Sequence, residues 1–162
     1  MTAELSAEQA ALRARFRAFT ERHVQPHASK ADAEGRLPDE VVTELGRAGL
    51  LAAMVPEASG GTPLDSVSYG LLHEELGRVC SSTRSLVTVH TMVCAAITRW
   101  GVPELRRTWL PKLAAGECVA SFALSEPNAG SDAAGIETNV VRSAGGYQID
   151  GTKKWISFGQ IA

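Results

Sequence analysis

Apolar residues recur along this chain at two spacings, and the spacing changes once. Over residues 6–24 the set Leu5, Leu12, Phe16, Phe19 and His23 fits one face of an amphipathic helix. Ser6-Ala7-Glu8-Gln9 has the form of a capping box at its start. Pro26 stops this helix, and the polar residues 28–36 read as a connection. A second helix starts at Pro38, a residue suited to a first helical turn, and runs to about Ala48, where Gly49 ends it. LLAAMVPEASGG (50–61) is an apolar run that closes in Pro56, Glu57 and Gly60-Gly61. Two readings stand side by side: a tight loop constrained by a ligand or by packing, and a plain surface loop.

Residues 64–79 return to helical spacing through Leu64, Val67, Leu71, Leu72, Leu76 and Val79, with Glu75 one turn beyond Leu71. Residues 83–100 are apolar on most sides, which predicts a helix in the middle of a bundle. His90 lies within it, with no partner residue identifiable, and reads as a core histidine with a satisfied ring nitrogen rather than a ligand or base. His23 and His27 flank a helix end, where a capping or surface role outweighs a metal role. Gly101 and Pro103 separate this helix from another over 103–115, which Pro111 should kink or shorten.

Past Gly116-Glu117 the period moves towards two. Residues 118–125 read as a strand, and Glu126-Pro127-Asn128-Ala129-Gly130 breaks it with turn formers. Residues 137–142 and 147–150 bracket Ser143-Ala144-Gly145-Gly146 as a hairpin, and 152–157 is a further strand candidate. The predicted class is therefore α+β: an N-terminal α-helical bundle over 1–116, then an incomplete antiparallel β-domain over 117–162. Three or four strands with an unpaired edge are marginal alone.

Composition narrows the function classes. The 162 residues carry a formal charge of −2, which argues against a nucleic-acid or anionic-membrane surface. No run reaches the length of a membrane span, and the acidic first residues do not resemble a secretory signal. Cys80, Cys94 and Cys118 are odd in number and lack metal-ligand spacing. They read as small buried hydrophobes in a reducing, cytoplasmic setting, with no metal site.

Several stretches, taken in order, resemble the N-terminal part of the acyl-CoA dehydrogenases. LLAAMVPEASGG is similar to that family's apolar-Pro-Glu-x-x-Gly-Gly loop, and LLHEELGRVCSS to its Glu-Glu-Leu-Gly helix. RWGVPELRRTWLPKLAAGE is similar to its run into the β-domain. FALSEPNAGSD resembles its signature loop and GTKKWIS its second flavin-contacting segment. Phe122, Asn128 and Phe158 depart from the commoner tyrosine, glycine and asparagine. The SFGQIA ending is closer to members of secondary-metabolite pathways, in which a carrier protein can hold the acyl group.

The resemblance implies an FAD-dependent oxidation of the α,β bond of an acyl thioester, carried by coenzyme A or an acyl-carrier protein. It implies an electron-transfer partner and a homo-oligomer for the complete enzyme. Phe122, Ala123, Leu124 and Ser125 would present N–H groups and a hydroxyl to the pyrimidine edge of the flavin. Trp155, Ile156 and Ser157 would meet it from the other side, and Ser131 would contact the thioester substrate. Without the resemblance, Trp155 reads as a core aromatic and both serines as ordinary strand hydroxyls.

Glu126 is expected to stabilise its loop through a hydrogen bond or ion pair rather than to act as a base. The family's catalytic carboxylate and its adenine contacts match nothing in 1–162. The chain is therefore expected to be an N-terminal part, inactive alone, with weak or no FAD binding and no catalytic residue. Two other readings share these residues: a non-catalytic helical module that binds a partner or carrier protein, and a flavin-dependent oxidase or hydroxylase of the same superfamily. An exposed apolar face on the 83–100 helix would mark the first, and oxygen consumption the second.

Overall fold

The computed structural model describes residues 4–162. Helix α1 (Ala7–His23) opens on the expected capping box: Gln9 N–H donates to Ser6 Oγ and Ser6 N–H to Gln9 Oε1, both at 3.1 Å. Pro26 does not end the helical run. Val24 keeps a helical backbone, and the chain continues into α2 (Gln25–Glu34), with Pro26 in a first turn where its missing N–H costs nothing. The stretch read as a connection is thus mostly helix. It lacks a visible period because Ala31 is its one buried residue. Gly35, at φ +63°, closes it.

Pro38 is the N-cap of α3 (Asp39–Arg47), which buries Val41, Val42, Leu45 and Gly46. Two short 3-10 turns follow, Leu50–Ala52 and Glu57–Ser59. The Gly60-Gly61 pair is a packing device. Gly60 has φ +82°, and a Cβ on Gly61 would run into the carbonyl of Val55. Asp65 caps α4 (Ser66–Val79), accepting from Val67 N–H at 2.8 Å and Ser68 N–H at 3.1 Å. Next come α5 (Ser81–Trp100) and α6 (Pro103–Ala115).

Helix α4 lies between α1 and α5. Phe16, Val24, Leu45, Leu51, Leu72, Leu76, Leu86 and Val87 form the main core, and Ala52, Val55, Cys94, Leu110 and Leu113 a second one under α6. Burial pushes the Cys94 thiol up to about 12, and all three cysteines are free. Helix α5, expected in the middle of the bundle, is instead open to solvent on one side. Its far side carries Met92 (46% exposed) and Trp100 (73%), with Val89, Val93 and Ala96 half-buried between them. Pro111 neither stops nor shortens α6. It sits on the exposed face, where water can satisfy the carbonyl of Arg107 left without its i+4 donor.

Among the described residues the sheet is one hairpin. Strand β1 (Asn139–Ser143) pairs antiparallel with β2 (Gly146–Asp150), from Asn139 opposite Asp150 to Ser143 opposite Gly146. Every residue of it is exposed. Residues 118–125 and 152–157 are irregular rather than strands, because they share too few backbone bonds to make a ladder and Trp155 leaves the extended conformation. No helix among the described residues is long and apolar enough to cross a membrane, and no cluster of three metal-ligating side chains occurs among them.

Candidate functional site

The two segments lie side by side. Lys154 N–H donates to the Ser125 carbonyl at 2.9 Å, and Ser121 Oγ donates to the Ser157 carbonyl at 2.9 Å. A third tie comes from a side chain: Lys153 Nζ donates to the Leu124 carbonyl at 3.0 Å. Sequence therefore brings 122–125 and 155–157 together across a gap of about thirty residues. The arrangement is an open shelf rather than a closed slot. Phe122, Ala123, Leu124, Trp155 and Ser157 are exposed, and Ser125 and Ile156 half-buried. The cleft of about 250 Å³ that Ile156 and Phe158 line opens towards Gly35, Arg36 and Leu37, not towards 122–125.

Two features of this shelf bear on what it could hold. Among the described residues nothing accepts a hydrogen bond from the N–H groups of 121–125, 151–153 or 155–158, so both segments keep free donors around the single Lys154–Ser125 backbone bond. On this exposed shelf those N–H groups are open to water or to an acceptor of a ligand. The second feature is strain. Trp155 and Phe158 hold φ of 59° and 61°, a left-handed conformation that side-chain-bearing residues adopt at a cost. Trp155 is 82% exposed with Lys154 Nζ 5.2 Å from its ring centroid, so it is not a core aromatic.

Glu126 does what was expected of it, and more. Its buried carboxylate accepts from Lys153 Nζ at 2.7 Å, Glu137 N–H at 2.7 Å, Thr138 N–H at 3.0 Å and the Thr138 hydroxyl. These donors, Lys153 first, hold its pKa down to about 2. A group so firmly ionised is a poor proton acceptor at neutral pH. Ser131 lies exposed on the loop that Glu126 closes, and no hydrogen bond among the described residues joins it to either shelf segment. Sequence reasoning gave Lys153 no role. Its partner is 27 residues away, and only the conjunction of Lys153 with an otherwise isolated Glu126 could have signalled it.

His90 anchors the shelf to the bundle. Ala120 N–H donates to its Nδ1 at 3.2 Å, which leaves Nε2–H to donate to the Leu113 carbonyl at 3.1 Å. Both ring nitrogens are satisfied, the ring is fully buried, and burial lowers its pKa. It is a core histidine that ties α5, α6 and the 118–125 segment together.

Comparison with known proteins decides the family. The family model described as acyl-CoA dehydrogenase, N-terminal domain, matches residues 6–117, and that of the middle domain matches 121–162. The chain belongs to the acyl-CoA dehydrogenase family. A short-chain specific acyl-CoA dehydrogenase of Clostridium acetobutylicum is 35% identical over 163 residues, covering 100% of this chain and 43% of that protein. A glutaryl-CoA dehydrogenase of Mycobacterium smegmatis, solved in complex with FADH2, superimposes with a TM-score of 0.90 at 34% identity, over 98% of this chain and 41% of the other. An acyl-CoA dehydrogenase of Geobacillus kaustophilus superimposes at 0.89 with 33% identity, over 98% and 42%. This acyl-CoA dehydrogenase homologue spans about two fifths of the length of the curated relatives it matches, 40–43% in the first three.

Proposed function

We propose that residues 122–125 and 155–157 form one wall of an FAD site in an enzyme that oxidises the α,β bond of an acyl thioester. The observation that carries this reading is the pair of adjacent segments with their N–H groups unspent. A flavin fits such a wall: its ring is flat and apolar, and its pyrimidine edge is rich in acceptors. Bound there, FAD would supply a hydride acceptor. The N–H groups of 122–125 and the Ser125 hydroxyl would stabilise negative charge on that edge, as donors in an oxyanion hole do. Ser157 would offer a hydroxyl from the opposite segment, Trp155 would cover part of the ring, and Ser131 would meet the thioester.

The same reading carries its finer parts. The helical unit is taken to end near Gly116, whose left-handed φ of 73° closes α6. The acyl group rides on coenzyme A or a carrier protein, and an electron-transfer protein takes the electrons in a cytoplasmic homo-oligomer. Residues 1–162 supply no matched base for the α proton, so none of them is assigned a catalytic role. A second reading, a partner-binding module, draws on the half-open apolar side of α5 around Met92 and Trp100.

The test uses FMN as a soluble flavin probe, with amide chemical shifts of the 162-residue chain as readout. Binding is expected to be weak, with Kd on the order of 100 µM or about −5.5 kcal/mol. The shifts should be confined to 122–125 and 155–157 and be lost in Trp155→Ala. FMN shifts that appear only outside these two segments overturn the flavin reading. Movement centred on α5 upon addition of a carrier protein would favour the second.

A further inference from the structure

Lys153 occupies an unusual position between the two shelf segments. Its ammonium donates to the Leu124 carbonyl at 3.0 Å and to Glu126 Oε1 at 2.7 Å. The very next N–H, of Lys154, donates to the Ser125 carbonyl at 2.9 Å. Two successive carbonyls of the first segment are thus held by one residue of the second and its neighbour. A trans peptide is planar, with its C=O and N–H pointing opposite ways. Fixing the Leu124 carbonyl therefore fixes the direction of the Ser125 N–H, which then points away from Lys153. Fixing the Ser125 carbonyl does the same for the peptide that leads into Glu126.

We propose that Lys153 is a positioning residue for the flavin edge: one ammonium, neutralised by Glu126, sets the rotation of the 124–125 peptide and holds the two donor rows in register. The proposal rests on the flavin reading for its purpose, though not for its geometry. Glu126 has two tasks in it. It removes a bare cation from beside the site, and it carries the constraint onward. Its carboxylate also takes the N–H groups of Glu137 and Thr138, so the loop from 127 to 136, Ser131 included, is closed by the same cluster. The Lys153 side chain is only 24% exposed and that of Glu126 4%, so water competes poorly for either. An arginine could span the same two acceptors, whereas a methionine keeps the stem and loses the donor.

The experiment has one arm without flavin and one with it. In the first, amide hydrogen exchange is followed in the 162-residue chain and in Lys153→Met and Lys153→Arg. The Lys154 amide should exchange at least about tenfold faster in Lys153→Met, with α4 and α5 amides unchanged and Lys153→Arg restoring protection. An unchanged Lys154 amide in Lys153→Met overturns the proposal, whatever flavin does. In the second arm FMN is titrated against the same proteins. Lys153→Met should weaken binding about tenfold or more and lose the shifts on both segments together, while Lys153→Arg retains them. Binding by Lys153→Met equal to that of the unsubstituted chain also overturns it. If the unsubstituted chain takes no FMN, the exchange arm alone decides the role of Lys153.

Discussion

Glu75 is a carboxylate with no exposed surface, set among Leu71, Leu72 and Leu76. It stays ionised because three guanidinium groups surround it. Arg17 donates at 2.8 and 3.1 Å, Arg13 at 3.2 Å and Arg78 at 3.1 Å. Arg17 first, then the other two, hold its pKa at about 2 against the opposing effect of burial. The helical period places Glu75 on the buried face, but Arg13 and Arg17 lie some sixty residues earlier, and nothing local announces them. Replacing it with glutamine removes the charge and turns an NH2 group towards a guanidinium. Glu75→Gln should lower unfolding stability by about 3 kcal/mol, read from the urea midpoint, because it leaves cations facing a buried amide. A loss below about 0.5 kcal/mol would mean that the three arginines are fully hydrated and that the cage contributes nothing.

At the scale of elements, the loop of 3-10 turns between α3 and α4 gives a contrast within one glycine pair. Gly60 has a left-handed backbone but open space around it, so Gly60→Ala should cost about 1–2 kcal/mol of conformational strain. At Gly61 the added methyl meets the Val55 carbonyl, a backbone atom that cannot swing aside, and Val55 is fully buried. Gly61→Ala should therefore cost more, about 3 kcal/mol, and should shift the far-ultraviolet melting curve further than Gly60→Ala. Legibility follows the same physics. The elements read correctly in sequence, α1, α3, α4, α5, α6 and the β1–β2 hairpin, carry their own period, cap or turn. Helix α2 was missed because one buried alanine makes no period. Residues 118–125 and 152–157 have strand composition but lack the partners that turn an extended chain into a sheet, and partners are not written locally. The shelf was legible only through resemblance: its exposed tryptophan and unspent N–H groups are unremarkable in composition and distinctive only in three dimensions.

Across the whole molecule, the helical bundle and the 118–125 segment meet at His90, and that junction sets the acid response. Burial lowers the His90 pKa from 6.5, and the bond its Nδ1 accepts from Ala120 N–H requires the neutral ring, whereas Nε2–H can donate to Leu113 in either state. His73 is shifted the same way, by burial and then by Arg84. As pH falls below about 6.5 the unfolded chain takes up protons that the folded one refuses, and stability declines. Glu75 and Glu126 contribute at a lower pH. Their folded values near 2 lie under the ordinary 4.5, so the stability they add is complete above about 4.5 and is lost as pH falls towards 2. Urea midpoints should hence be flat from pH 8 to 7, fall in a first step as pH drops below about 6.5, and fall again below 4.5. His90→Gln keeps a donor for Leu113 but gives up the acceptor for Ala120. It should be less stable at pH 8 and show a smaller first step, with the second step unchanged. If the first step survives in full in His90→Gln, His73 carries it, and the tie between bundle and shelf does not depend on the protonation of the His90 ring.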